Sequence, residues 1–295
     1  MPPAHIFVIT SRFDDAAGPA SQNIRDIIVF DVLYGVGLVL LILLLFTALF
    51  SPRHIKRGPT WFLMLVGWII TSMGNLIIVG QQTGPPPSQA ICLFQAMLVY
   101  ASPVLTSSTA FVFVFQVYMS FRMAANSSNQ PMLSRKQVAW MNFIPWIGFV
   151  AVLVEILIIG IKNPNEVRRN EPGTYCSLSG SIGYGVTAGL TVLAMLAVLV
   201  MEFLTGRILR RVWKNSETVQ LIRNNELFSI ETMARLGIFC FCPMIALAVS
   251  CLQYFPGHSN LGASLQLAIA ILPCCAILIF GSQKDIVRAW TCQKS

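Results

Sequence analysis

Seven apolar stretches dominate this chain: residues 27–50, 60–80, 91–121, 139–161, 182–206, 236–254 and 261–282. A helix rises about 1.5 Å per residue, so about 20 apolar residues cross a hydrocarbon core of about 30 Å. Inside lipid every backbone N–H and C=O must find a partner within the protein, and closed helices do this segment by segment. The expected fold is therefore all-α, a polytopic bundle of seven transmembrane helices. Composition agrees: 55% of the 295 residues are hydrophobic and only 11% are charged, against about 25% charged in soluble domains. A mean hydropathy of +0.69 excludes an ordinary soluble domain and a disordered chain alike.

The chain divides into a tail (1–26), the transmembrane domain (27–282) and a short second tail (283–295) with an amphipathic helix. Residues 1–25 hold Pro2, Pro3, Asp14, Asp15, Gly18 and Pro19 and no apolar core of a signal peptide, so the first span is its own insertion signal. The third span exceeds one crossing, which implies tilt or projection beyond the membrane. Residues 207–235 are expected to continue the fifth and sixth helices. A tight turn, 255–260, joins the sixth span to the seventh.

Lysine and arginine set the orientation. With the N-terminus outside, the inner segments hold Arg53, Lys56, Arg57, Arg122, Arg135, Lys136, Arg207, Arg210, Arg211, Lys214, Arg223, Arg235, Lys284, Arg288 and Lys294, fifteen in all. The outer segments hold Arg12, Arg25, Lys162, Arg168 and Arg169, five in all. This is the positive-inside bias, and it accounts for the net charge of +8 without any nucleic-acid partner. Seven spans then put the C-terminus in the cytosol. Asn126-Ser127-Ser128, the one N-glycosylation triplet, falls inside and carries no sugar.

Eight cysteines are present, and five lie in the last two spans as small apolar packing residues. Cys92, at the outer start of the third span, and Cys176, in the outer loop after the fourth, fall on the oxidising side. A disulfide between them is expected; the alternative is two free thiols.

Seven spans, an outside N-terminus and a bridge from the third span to the second outer loop resemble the G-protein-coupled receptor superfamily. The sixth span reads Cys240-Phe241-Cys242-Pro243, similar to the family's Cys-Trp-x-Pro. The seventh reads Leu272-Pro273-Cys274-Cys275-Ala276, where the family has Asn-Pro-x-x-Tyr and only the proline is kept. The third span ends Tyr118-Met119-Ser120-Phe121-Arg122 in place of Asp-Arg-Tyr, and the second has Asn75 but no aspartate. As a whole the chain looks like the divergent seven-helix receptor-like proteins of fungi. The resemblance implies a receptor that senses an extracellular ligand and signals to a cytosolic partner such as a heterotrimeric G protein, at the plasma membrane and without catalysis, metal or cofactor. It also implies a switch at Phe241, Pro243 and Pro273, since proline removes a backbone hydrogen bond and kinks a helix.

Polar residues within spans are costly and mark candidate sites. Gln95, Tyr100, Glu155, Phe241, Gln253, Tyr254 and Gln266 are the candidate ligand-binding set, a mixed polar and aromatic outer pocket. Asp31 and Glu202 read as interfacial acids, and Ser102, Thr106, Ser107, Ser108 and Thr109 as hydroxyls bonding back to their own helix. Arg122, Arg207, Arg210 and Arg211 are candidate docking residues for a cytosolic partner. The segment 207–214 also reads as a basic amphipathic helix on anionic lipid. Cys292 is a candidate for palmitoylation beside the tail helix.

Other seven-helix classes fit poorly. Zinc hydrolases and intramembrane serine proteases need histidine within the spans, but His5, His54 and His258 lie in or beside loops. A retinal protein needs a lysine midway along the seventh span, and Lys284 is at its inner end. A small-solute transporter or a non-signalling scaffold is the alternative; Pro103, Pro145, Pro243 and Pro273 could break helices as transporters do.

Overall fold

The computed structural model describes residues 24–50, 58–125, 134–170, 172–179, 181–213 and 261–282, with Ile286 and Trp290 of the tail. The sixth span, with Phe241, Pro243, Gln253 and Tyr254, lies outside the described residues, as does Cys292.

Five long helices follow one another: α1 (Ile24–Phe50), α2 (Pro59–Leu76), α3 (Gln89–Ala125), α4 (Arg135–Lys162) and α5 (Ser181–Trp213). Between α4 and α5 lie two short strands, β1 (Val167–Arg169) and β2 (Cys176–Leu178), paired antiparallel with Val167 opposite Leu178 and Arg169 opposite Cys176. The seventh span comprises α6 (Leu261–Ala270) and α7 (Leu272–Gly281). Four described helices, α1, α3, α4 and α5, are each long and apolar enough to cross a bilayer. The protein is an all-α, multi-pass membrane protein.

The exposed surface of these helices is apolar, as lipid as a solvent requires. On α1 the buried stripe Ile27, Phe30, Tyr34, Gly37, Leu41 and Leu44 is matched on the other side by exposed Val32, Val36, Val39, Leu43 and Phe46. A helix apolar all round is either deeply buried or in lipid. The same holds for Ile144, Ile147, Val150, Val154 and Ile158, which are exposed on α4.

The bundle is built around α3, the most buried of the four. It packs against α2, α4, α5 and both strands, while α1 closes the other side against α2, α6 and α7. Pro103 sits within α3 without ending it. The neighbouring hydroxyls bond to their own helix as expected: Thr106 donates to the Ser102 carbonyl at 3.0 Å, and Thr109 to that of Thr106 at 2.9 Å.

Two spans depart from the sequence reading. The second stops at Leu76, short of residue 80, because the chain turns there: the Val79 N–H bonds the Leu76 carbonyl and Gly80 takes a φ of +83°. Glycine meets that left-handed geometry at no steric cost. The seventh runs on through Ile271, which keeps helical geometry and bonds on both sides, but loses one bond of its ladder at Pro273, which has no N–H to give the preceding turn. The Pro273 ring lies against α1 at Gly37, where an added Cβ would stand 2.8 Å from the proline Cβ. Small residues of this kind let helices approach closely in lipid.

That contact makes a paired prediction. Gly37→Ala forces a rigid ring and a helix apart and should cost about 1–3 kcal/mol. Gly35→Ala, on the same helix with nothing within 4 Å of its added Cβ, should leave stability unchanged or slightly raised. Thermal unfolding midpoints of the two purified variants check this. Equal midpoints would remove the α1–α7 contact from the account.

Candidate functional site

The first turns of α3 present Cys92 and Gln95 on one face, three residues apart. Cys92 is joined to Cys176 by the expected disulfide, with the Cα atoms 5.3 Å apart across 84 residues of sequence, within the range such a bridge needs. Gln95 is fully buried. Its Oε1 accepts the Cys176 N–H at 2.9 Å, and its Nε2 lies 3.2 Å from the carbonyls of Gly74 and Asn75 on α2. Further down α3 the Tyr100 hydroxyl donates to the Leu178 carbonyl at 3.4 Å and accepts the Leu178 N–H at 3.3 Å. Cys176 and Leu178, the two inward residues of β2, are thus both tied to α3.

The hairpin then reaches across the mouth of the bundle. Its turn is closed by Asn170, which bonds the Tyr175 backbone through both its N–H and its side-chain oxygen, and by Gly173 at φ +82°. This aims Thr174 and Tyr175 at α1 and α6. The Thr174 hydroxyl donates to Gln266 Oε1 at 2.8 Å and accepts from Asn170 Nδ2 at 2.9 Å. The Thr174 carbonyl accepts from Gln82 Nε2 at 3.3 Å, and the same Nε2 donates to Asp31 Oδ1 at 2.7 Å. The Tyr175 and Phe30 rings stack with centroids 6.4 Å apart. Arg169 holds the loop between α2 and α3, its guanidinium donating to the carbonyls of Gln81 (2.9 Å) and Gly84 (3.1 Å).

Four elements meet here: α1, the α2–α3 loop, the hairpin and α6. Asp31 brings a carboxylate; Gln82 and Thr174 are buried, with Gln82 bonded to Asp31 and the Thr174 backbone, and the Thr174 hydroxyl bonded to Gln266 and Asn170. The network cross-links the four elements through hydrogen bonds, with the Asp31 carboxylate among its acceptors. Among the described residues it holds no nucleophile paired with a base.

Of the sequence-selected ligand residues, Gln95 and Tyr100 stand under the hairpin and are engaged with its backbone, and Gln266 belongs to the network. Glu155 stands apart on α4, half-buried, with no hydrogen bond or ion pair among the described residues. Asp31 proves to be a network member rather than a simple interfacial acid. Gln82, Asn170, Thr174 and Arg169 were not legible as site residues, because their partners come from distant loops. The two turn glycines flanking Gln82, Gly80 and Gly84, were the available signal.

At the opposite end Arg207 lies over the Phe203 ring, 5.8 Å from its centroid. Arg122 and Arg210 are exposed at that same end. Of Arg211 only the backbone is described. In the tail, Ile286 is buried against the core and the Trp290 indole N–H donates to the Thr47 hydroxyl at 2.9 Å. No protein-family model and no curated protein matches this chain, so the geometry itself carries the functional reading.

The hairpin anchors can be ranked by experiment. Cys92→Ser should lower stability by about 2–4 kcal/mol, seen as a drop in thermal midpoint that reductant reproduces in the native protein and not in the variant. Gln95→Leu leaves the Cys176 N–H and two α2 carbonyls without partners, a cost of about 1–3 kcal/mol. It should lower the midpoint even with the disulfide intact.

Proposed function

We propose that the protein is a receptor-like membrane protein of seven helices, with its N-terminus and hairpin outside and its C-terminus in the cytosol, at the plasma membrane. It senses a small extracellular ligand beneath the hairpin and signals to a cytosolic partner such as a heterotrimeric G protein. The observation that carries the reading is the hairpin itself, bridged to α3 by Cys92–Cys176 and hydrogen-bonded through Thr174 to α6. Disulfides persist where thiols are oxidised, which supports placing this end outside. The fifteen-to-five distribution of basic residues points the same way.

In this reading a ligand at the junction of Asp31, Gln82, Thr174 and Gln266 acts by binding one arrangement of the helices more tightly than another, with about 1.4 kcal/mol for each tenfold shift. The sixth span, with Phe241 and Pro243, supplies the hinge. The basic end, with Arg122, Arg207, Arg210 and Arg211, meets the partner.

One observation favours a second reading. The seventh span is interrupted by Pro273, which leaves one hydrogen bond of its ladder unmade, and proline-interrupted spans are a mark of small-solute transporters. The two readings separate in one preparation. A receptor should co-purify with G-protein subunits when guanine nucleotide is absent and release them when it is added. Replacing Phe241 by Ala should alter the extent of that capture without lowering surface expression. No nucleotide-sensitive capture, together with solute-driven swelling of proteoliposomes, would overturn the receptor reading in favour of transport.

A further inference from the structure

Along α5, the residues Leu193, Leu196, Val200, Phe203, Arg207 and Arg210 recur at alternating spacings of three and four, so they share one face of the helix. The first four are exposed to the surroundings by 69%, 53%, 57% and 66%. After Phe203 the face turns from apolar to cationic, and both arginines are exposed. At about 1.5 Å per residue the step from Phe203 to Arg210 is about 10 Å, the depth over which a bilayer passes from acyl chain to headgroup.

We infer that this end of α5 is a binding site for an anionic phospholipid, whose acyl chains lie along Leu193, Leu196, Val200 and Phe203 and whose phosphate is held by Arg207 and Arg210. Three features carry the assignment. The Arg207 guanidinium is already stacked on Phe203, which orders the side chain and leaves its planar fork of N–H donors for a phosphate. Gly206, beside it, has no side chain, and an added Cβ there would meet nothing within 4 Å beyond its chain neighbours, so the helix surface flanking Arg207 is uncrowded. The nearest acid in sequence, Glu202, lies about 100° around the helix axis from Phe203, off the stripe, so the charged residues of this α5 stripe are both arginines. The inference needs α5 to be a membrane span; it does not rest on the receptor reading, and it assigns Arg207 and Arg210 to lipid in place of the partner contact that reading gives them.

The test uses the full-length protein in detergent, titrated with phosphatidylserine or phosphatidylcholine and read by native mass spectrometry of the lipid-bound species. Phosphatidylserine should bind more tightly than phosphatidylcholine. Arg207→Gln and Arg210→Gln should each weaken phosphatidylserine binding roughly fivefold, the effect of one cation at an anionic headgroup. Phe203→Leu, which keeps the apolar face and loses the stacking, should weaken it by a smaller factor. Arg207→Lys should fall between the native protein and Arg207→Gln, and guards against a folding defect in any one variant. Lys136→Gln, at the same end but on α4, should change nothing. Equal binding of the two lipids would overturn the site, as would unchanged binding in both arginine-to-glutamine variants. An equal loss in Lys136→Gln would reduce it to diffuse charge. Displacement of the lipid by millimolar inorganic phosphate would replace it with a free-anion site.

Discussion

The tie between β2 and the first turns of α3 is the constraint on which the hairpin end of this protein depends. One covalent bond, Cys92–Cys176, fixes the strand at a point. The hydrogen bonds from Gln95 and Tyr100 then fix its direction. With both inward residues of β2 held, β1 follows by its three-residue pairing, and Arg169 on β1 in turn immobilises the α2–α3 loop. The hairpin tip is left with one place to go, over α1 and α6. Thr174 and Tyr175 are therefore placed by bonds made on the opposite side of the bundle.

The rest of the bundle follows from lipid as solvent. Apolar residues point outward as readily as inward, so hydrophobicity alone cannot choose which face of a helix is buried. Close approach does the choosing. Gly37 admits Pro273, Gly74 lies against Leu98 with an added Cβ 3.1 Å from the leucine Cβ, and Gly183 faces Ile156. At Gly37 a larger side chain would meet a rigid ring, at Gly74 it would crowd a leucine Cβ, and at Gly183 it would have to displace the tip of Ile156. Some of the remaining polar groups are used locally, as in Thr71 and Ser72, whose hydroxyls donate to carbonyls four residues back on α2, while Thr60 donates across to Gln116 on α3.

Much of this was legible in the sequence because it is local or set by charge. The long spans follow from apolar length, and the Cys92–Cys176 pair from a topology read off lysine and arginine. Pro273 was a visible interruption of the seventh span. What was hidden was non-local. A buried glutamine in the outer half of a span looks the same whether it faces a ligand or, like Gln95, the backbone of a loop 81 residues away. Asp31 looks interfacial until the α2–α3 loop folds back and brings Gln82 to it. The second span ran past its true end because Ile77, Ile78 and Val79 are apolar although the chain is already turning toward Gly80.

A sensing role, a transport role and a structural role all require the hairpin to be a fixed part of the bundle rather than a loose loop. Hydrogen exchange at single-residue resolution measures this directly, at the amides of Cys176 and Leu178 in the protein held in a bilayer. Both should be strongly protected in the native protein, since each N–H is bonded to a side chain of α3. Protection at both should fall together when Cys92 is replaced by Ser. Rapid exchange in the native protein, or protection unchanged once the bridge is gone, would contradict the account of α3 as the anchor of this end.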